Sequence, residues 1–194
     1  MSERVVIIGD GQMGLVLADA LAWGNVPTTI WGPFSDIVTH LASQRENPGR
    51  FPGYRLPEQV HVEVQADRAL SGATLAINAI PSQFVRPVWE RLAGDVPVGC
   101  PIISVAKGVE NDTLLRPTEV LHEVVPQAGP TGVLSGPSIA TELADHLPAV
   151  LIAASKDAAL ATRVQALFDV PWLRIYTGSD VLGVELAGAC KNVI

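Results

Sequence analysis

Short apolar runs rich in β-branched residues alternate along the chain with stretches in which apolar residues recur at helical spacing. Residues 4–9 ("RVVIIG") read as a strand, 15–24 ("LVLADALAWG") as a helix and 28–31 ("TTIW") as the next strand. Further strands are predicted at 60–64, 73–80, 101–106, 131–135, 149–155 and 173–177, with helices near 83–93, 114–124, 138–146 and 157–168. This rhythm predicts an α/β fold: a Rossmann-like, doubly wound, mostly parallel sheet whose continuously apolar strands are covered on both faces. Residues 43–59 ("SQRENPGRFPGYRLPEQ") are rich in Pro, Gly and Arg and are expected to form a surface excursion. From Asp180 a last helical pattern leaves the sheet. In "GVELAGACKNVI" (183–194), Gly183, Ala187, Gly188 and Ala189 stand at close-packing spacings, which predicts the opening of a buried helix around one lysine.

With 194 residues and 48% hydrophobic content, the chain can bury a core of one domain or one and a fraction. A net charge of −7 leaves no basic face for a nucleic acid. No run approaches the roughly 20 apolar residues that cross a bilayer. The opening "MSERVVIIGDG" passes straight into a strand, so no membrane insertion and a cytoplasmic location are expected. Cys100 and Cys190 stand far apart, outside metal-ligand spacing, and read as reduced thiols. His40, His61, His122 and His146 are unpaired in sequence, and no metal is assigned.

The first strand runs into "GDGQMG", which holds Gly9, Gly11 and Gly14 in G-x-G-x-x-G spacing at the start of a helix. In a dinucleotide site each glycine has a mechanical role, with a tight turn at Gly9, approach of a pyrophosphate to the backbone at Gly11, and close packing of helix on strand at Gly14. The helix amino terminus adds free N–H groups and partial positive charge. Asp10 puts a carboxylate inside this loop, where it must point away from the pyrophosphate. The end of the second strand reads "IWGPFSD" and lacks the acid that commonly holds the adenosine ribose. Asp36 comes a few residues late, and no arginine is placed to grip a 2′-phosphate. The choice between NAD and NADP therefore stays open.

Reduction of a carbonyl by a nicotinamide needs a proton donor beside the hydride acceptor, and a lysine of lowered pKa can serve. Lys107 in "ISVAKGVE" follows a strand at its carboxyl end, where ligands collect in open α/β sheets. Lys191 in "LAGACKNV" lies on the small-residue helix, and converging heads would each discourage the other's charge. Either lysine also reads as a surface side chain, and Asn192 as an exposed helix residue. In "LSGPSIATE" (134–142), Ser138 reads as a helix cap with Glu142 in the first turns. In "AIPSQF" (79–84), Pro81 and Ser82 read as a helix start.

The glycine loop, "NPGRFPGYRLPE", "AIPSQFVRPV", "SVAKGVE", "LSGPSIATELA" and "YTGSDVLGVELAGACKNVI", in this order and spacing, resemble the amino-terminal domain of the bacterial biosynthetic NAD(P)-dependent glycerol-3-phosphate dehydrogenase family. The resemblance runs from residue 4 to 194. It implies reversible reduction of dihydroxyacetone phosphate to sn-glycerol 3-phosphate, the backbone precursor of phospholipids. It also implies Lys191 as catalytic acid/base; Lys107, Gly136, Ser138, Lys191 and Asn192 as substrate contacts; and Gly9, Gly11, Gln12, Met13, Gly14, Pro33, Pro81, Phe84, Lys107 and Ala140 as cofactor contacts. Pro33 departs from the family, which often has a basic or polar residue at the adenosine end. The implied organisation is a cofactor domain over 1–179 and, from 180 to 194, the start of an all-helical substrate domain. Such a chain is expected to be a fragment that depends on residues beyond Ile194 for turnover, and the whole protein a homodimer. Two other readings stand beside this one. A β-hydroxyacid dehydrogenase shares the Lys-Asn pair but should lack "KGVE" and "LSGPS"; a non-catalytic dinucleotide-binding module would need no catalytic lysine.

Overall fold

The computed structural model describes residues 3–191, and its frame is one eight-stranded sheet with helices on both faces. The first half runs β1 (Val5–Ile8), α1 (Gln12–Trp23), β2 (Thr28–Trp31), α2 (Ser35–Gln44), β3 (Glu46–Asn47), β4 (Phe51–Arg55), β5 (His61–Val62), α3 (Ala66–Leu70) and β6 (Leu75–Asn78). The second half runs α4 (Val85–Leu92), β7 (Ile102–Ser104), α5 (Pro117–Val124), β8 (Thr131–Ser135), α6 (Ala140–Ala144), β9 (Ala149–Ser155), α7 (Ala158–Leu167), β10 (Leu173–Gly178) and α8 (Val181–Cys190). In space the strands lie in the order β5-β2-β1-β6-β7-β8-β9-β10, parallel except where β9 meets β8. Chain order reverses between β1 and β6, so the switch-point crevice of a Rossmann-like doubly wound fold opens above these two strands.

The run Val5–Ile8 shows why the central strands are apolar throughout. Val5 and Ile7 enter a core with Leu15, Leu17, Leu21 and Phe168, while Val6 and Ile8 enter the opposite core with Trp89, Ile102 and Leu121. Alternation along a strand serves two covered faces here, so no polar position is left. Fully buried Trp89 and Phe168 each contribute about 1.5–3 kcal/mol by leaving water.

Four expectations need correction. The outer strands β9 and β10 are covered only in part on one face: Val150, Ile152 and Tyr176 stand exposed among the described residues, while Ala154 on the same side of β9 is buried. The excursion at 43–59 lies at the surface as expected but is not irregular: β3 and β4 pair as an antiparallel hairpin, Phe51 and Leu56 join the core, and buried Arg45 donates to the carbonyls of Pro57 and Val60. Helices α2 and α3 are additional to the sequence pattern. Finally, α8 is not a buried helix. Its one buried side chain among the described residues is the charged Glu185, while Leu182 and Leu186 are exposed.

Candidate active site

Four loops at the carboxyl ends of parallel strands surround the crevice: the glycine loop after β1, Ala79–Pro81 after β6, Ala106–Lys107 after β7 and Gly136–Ser138 after β8. In the first, Gly9 has φ +127° and a Cβ there would meet the carbonyl oxygen of Ala79 at 2.7 Å. A Cβ on Gly14 would lie 2.1 Å from the carbonyl oxygen of Gly9, so α1 rests directly on the turn. Gly11 differs, since nothing lies within 4 Å of where its Cβ would stand. Gly11 caps α1 without a side-chain hydrogen bond, leaving the first-turn amides facing open space. A strand, a tight turn and an uncapped helix end beside empty volume fit a dinucleotide pyrophosphate.

The folded excursion braces this loop. Asn47 Nδ2 donates to the carbonyl of Asp10 at 2.8 Å, and Gln12 Nε2 donates to the carbonyl of Arg50 at 3.0 Å. Met13 is half-buried and shares a small cleft with Lys107 and Ser138. Pro33 follows β2 at the far end of the crevice. Pro81 and Phe84 stand on the opposite rim, Phe84 being 60% exposed. Ala140 opens α6 and is nearly buried.

Both lysines point to one spot. Lys107 Nζ donates to the carbonyls of Gly136 at 3.1 Å and Ser138 at 3.4 Å, and Lys191 Nζ donates to the same Ser138 carbonyl at 2.5 Å. Burial, and then the charge of Lys191, lower Lys107 to a pKa of about 8. Ser138 therefore meets both lysines through its backbone carbonyl. The predicted cap role falls away, since α6 starts from Ile139 with no side-chain cap. Gly136 is needed because a Cβ would approach the carbonyl of Val150 to 2.6 Å. Asn192 lies outside the described residues.

The "KGVE" turn has its own supports. Gly108 has φ +130°, and a Cβ there would lie 2.6 Å from Ser82 Oγ. Gln83 Nε2 donates to the carbonyl of Val109 and its Oε1 accepts from the Asn111 amide, both at 2.8 Å. Arg86 grips Glu110 with two nitrogens. "AIPSQF" and "SVAKGVE" thus form one unit that aims Lys107.

The profile of the family described as NAD-dependent glycerol-3-phosphate dehydrogenase N-terminus matches residues 4–161. The chain belongs to this family. A relative from Mycobacterium tuberculosis named glycerol-3-phosphate dehydrogenase NAD(P)+ 2 is 35% identical, and a glycerol-3-phosphate dehydrogenase NAD(P)+ from Geobacter metallireducens is 38% identical. Each similarity covers all of this chain and 58% of the relative. The crystal structure of glycerol-3-phosphate dehydrogenase from Coxiella burnetii superposes with a TM-score of 0.92 at 28% identity, over 99% of this chain and 58% of that one. The chain thus spans a little under three-fifths of these glycerol-3-phosphate dehydrogenases.

Within this glycerol-3-phosphate dehydrogenase framework, two positioning residues escaped the sequence reading. Asn78, fully buried at the end of β6, donates to Ser104 Oγ at 3.0 Å and accepts from Trp89 Nε1 at 2.8 Å, which ties β6, β7 and α4 together under the crevice. Its signal was a polar residue closing an apolar strand. Glu185 is 3% exposed and accepts from Arg116 Nη1 at 2.6 Å, the Thr118 amide at 2.9 Å and Thr118 Oγ1 at 2.7 Å. It pins α8, and so Lys191, to the start of α5. Glu185→Ala, which leaves Arg116 and Thr118 short of an acceptor, is expected to lower stability in urea unfolding by about 3 kcal/mol, and Glu185→Gln by less. A loss below about 0.5 kcal/mol, the range of ordinary surface changes, would show that the cluster does not hold the helix.

Proposed function

We propose that residues 1–179 form the dinucleotide-binding domain, and 180–194 the leading helix of a substrate domain, in an oxidoreductase that interconverts dihydroxyacetone phosphate and sn-glycerol 3-phosphate and supplies glycerophospholipid synthesis. The observation that carries this reading is the convergence of two lysines on one carbonyl at the mouth of a dinucleotide crevice. A bound NAD(P)H supplies the hydride to the carbonyl carbon of the substrate.

This chain's residues do the rest. Gly9, Gly11, Gln12, Met13 and Gly14 hold the pyrophosphate against the α1 amides, with Pro33 at the adenosine end and Ala140 beneath. Pro81 and Phe84 give the nicotinamide ring an apolar rim that excludes water. Lys191 releases its hold on Ser138 and delivers a proton to the substrate oxygen. Lys107 keeps positive charge beside that oxygen, the Gly136 carbonyl orients its head and the Ser138 carbonyl orients both ammonium heads, and Asn192 lines the same site. Among the described residues no helix is long and apolar enough to cross a membrane. A cytoplasmic homodimer is the expected form of the whole protein.

The test follows oxidation of NADH and NADPH by absorbance after adding dihydroxyacetone phosphate. Turnover with this substrate supports the reading, and binding of a nicotinamide cofactor without turnover by the complete protein overturns it. The pH dependence is a second check. Lys107, lowered to about 8, is charged below that pH and loses its proton as pH rises through it. KM for the anionic substrate should therefore climb on the alkaline side. In Lys107→Arg, whose guanidinium stays charged, the climb should vanish. A flat KM profile in the parent enzyme would show that Lys107 does not face the substrate.

A further inference from the structure

The fold binds the adenosine ribose at the end of the second strand, normally through an acidic side chain there. Here that place is taken by Gly32 and Pro33, which carry neither an acid nor, at Pro33, an N–H. The space is nevertheless filled. A Cβ on Gly32 would stand 2.5 Å from Asp10 Cγ and 2.8 Å from each of its carboxylate oxygens, so the Asp10 carboxylate occupies the volume a side chain at position 32 would take. The two backbones are locked side by side, with Ile8 in register with Trp31 and the Gly9 amide donating to the Trp31 carbonyl at 2.7 Å. Asn47 fixes Asp10 from the other side by donating to its carbonyl oxygen.

Asp10 is 7% exposed, and its Oδ2 is buried with no hydrogen-bond partner among the described residues. An unpartnered carboxylate oxygen in such a position is costly and calls for a donor. Burial raises the Asp10 carboxyl above the usual range, and a hydroxyl donor would offset that cost. Of the charged groups near enough to act on it, exposed Arg50 favours its ionised form, and Asp36 on α2 adds a second negative charge.

We infer that Asp10, reaching across from the glycine loop, holds the adenosine ribose hydroxyls in place of the missing strand-end acid and makes the site select the dinucleotide without a 2′-phosphate. This rests on the dinucleotide reading above and deepens it. A ribose 2′-hydroxyl is a donor that the carboxylate can accept. A 2′-phosphate offers no such donor and sets like charges together in a confined space.

The test titrates NADH and NADPH, by fluorescence, into the protein and its Asp10→Asn variant, with thermal unfolding of both as a check on folding. NADH is expected to bind more tightly than NADPH by about tenfold or more. Asp10→Asn, which keeps shape and removes charge, should shrink that ratio by about tenfold, with NADPH gaining and NADH losing affinity. Asp10→Ser serves if the amide variant does not fold. A parent protein that binds NADPH as well as NADH, or a folded variant that keeps the parent ratio, overturns this inference alone. A folded parent that binds neither dinucleotide overturns the cofactor reading and this inference with it.

Discussion

Lys191→Ala is expected to lower the rate of dihydroxyacetone phosphate reduction by the complete protein about 10²- to 10⁴-fold, the usual worth of a positioned proton donor, with NADH affinity nearly unchanged. The expectation follows from where the ammonium sits. Lys191 follows α8, and Gly188 lets that helix close in, since a Cβ at Gly188 would come within 2.8 Å of Ser135 Oγ and 3.8 Å of Lys107 Cγ. The two lysine heads then share the Ser138 carbonyl at the end of β8, and neither bonds the glycine-loop backbone among the described residues, so removing Lys191 should largely spare the cofactor. Lys191→Arg separates charge from proton transfer, because a guanidinium keeps its proton at neutral pH. If charge alone matters, the arginine variant recovers much of the rate; if proton delivery matters, it stays as slow as alanine. Near-normal turnover in Lys191→Ala would remove this residue from the chemistry.

The convergence of Lys107 and Lys191 shows what local sequence could convey. Each lysine was legible because its neighbours fix the chain: a strand end and a positive-φ glycine after Lys107, a helix with Gly188 before Lys191. The glycine loop was legible because its spacing is itself the signal: Gly14 packs on Gly9, Gly9 turns the chain beside Ala79, and Gly11 leaves open space. What escaped depended on partners distant in sequence. Glu185 looks like a surface acid on a helix until Arg116 and Thr118 come to it from across the chain. The "ENPGRFPGYR" stretch is polar enough to pass for a loose excursion, and only the glycine loop gives Asn47 its role. Helix α2 buries just Val38 and Leu41, too thin a stripe to announce itself, and α3 has five residues, too few for a period. The partly open face of β9 and β10 escaped because "AVLIAAS" reads as apolar on both sides, while Val150 and Ile152 on one side remain exposed among the described residues.

Gly11→Val and Gly14→Val should part company, and that separation tests the glycine loop more sharply than either change alone. At Gly11 the backbone has φ −79° and ψ 176°, a conformation any residue adopts, and the Cβ would enter empty space. The valine variant is therefore expected to fold with stability within about 0.5 kcal/mol of the parent, as for a surface substitution. Its side chain would then stand in the volume a pyrophosphate needs, and NADH affinity should fall by about 100-fold or more. At Gly14 the new Cβ would lie 2.1 Å from the Gly9 carbonyl oxygen and 3.4 Å from Ile7 Cγ2. Relief would require α1 to lift off β1, costing about 3 kcal/mol or more in overpacking and lost core contact. Gly14→Val should thus be destabilised or fail to fold, and Gly11→Val should be stable but empty of cofactor. Isothermal titration with NADH beside a thermal melt separates the two. Undiminished NADH binding by a folded Gly11→Val protein would mean that the open volume over the loop is not where the dinucleotide lies.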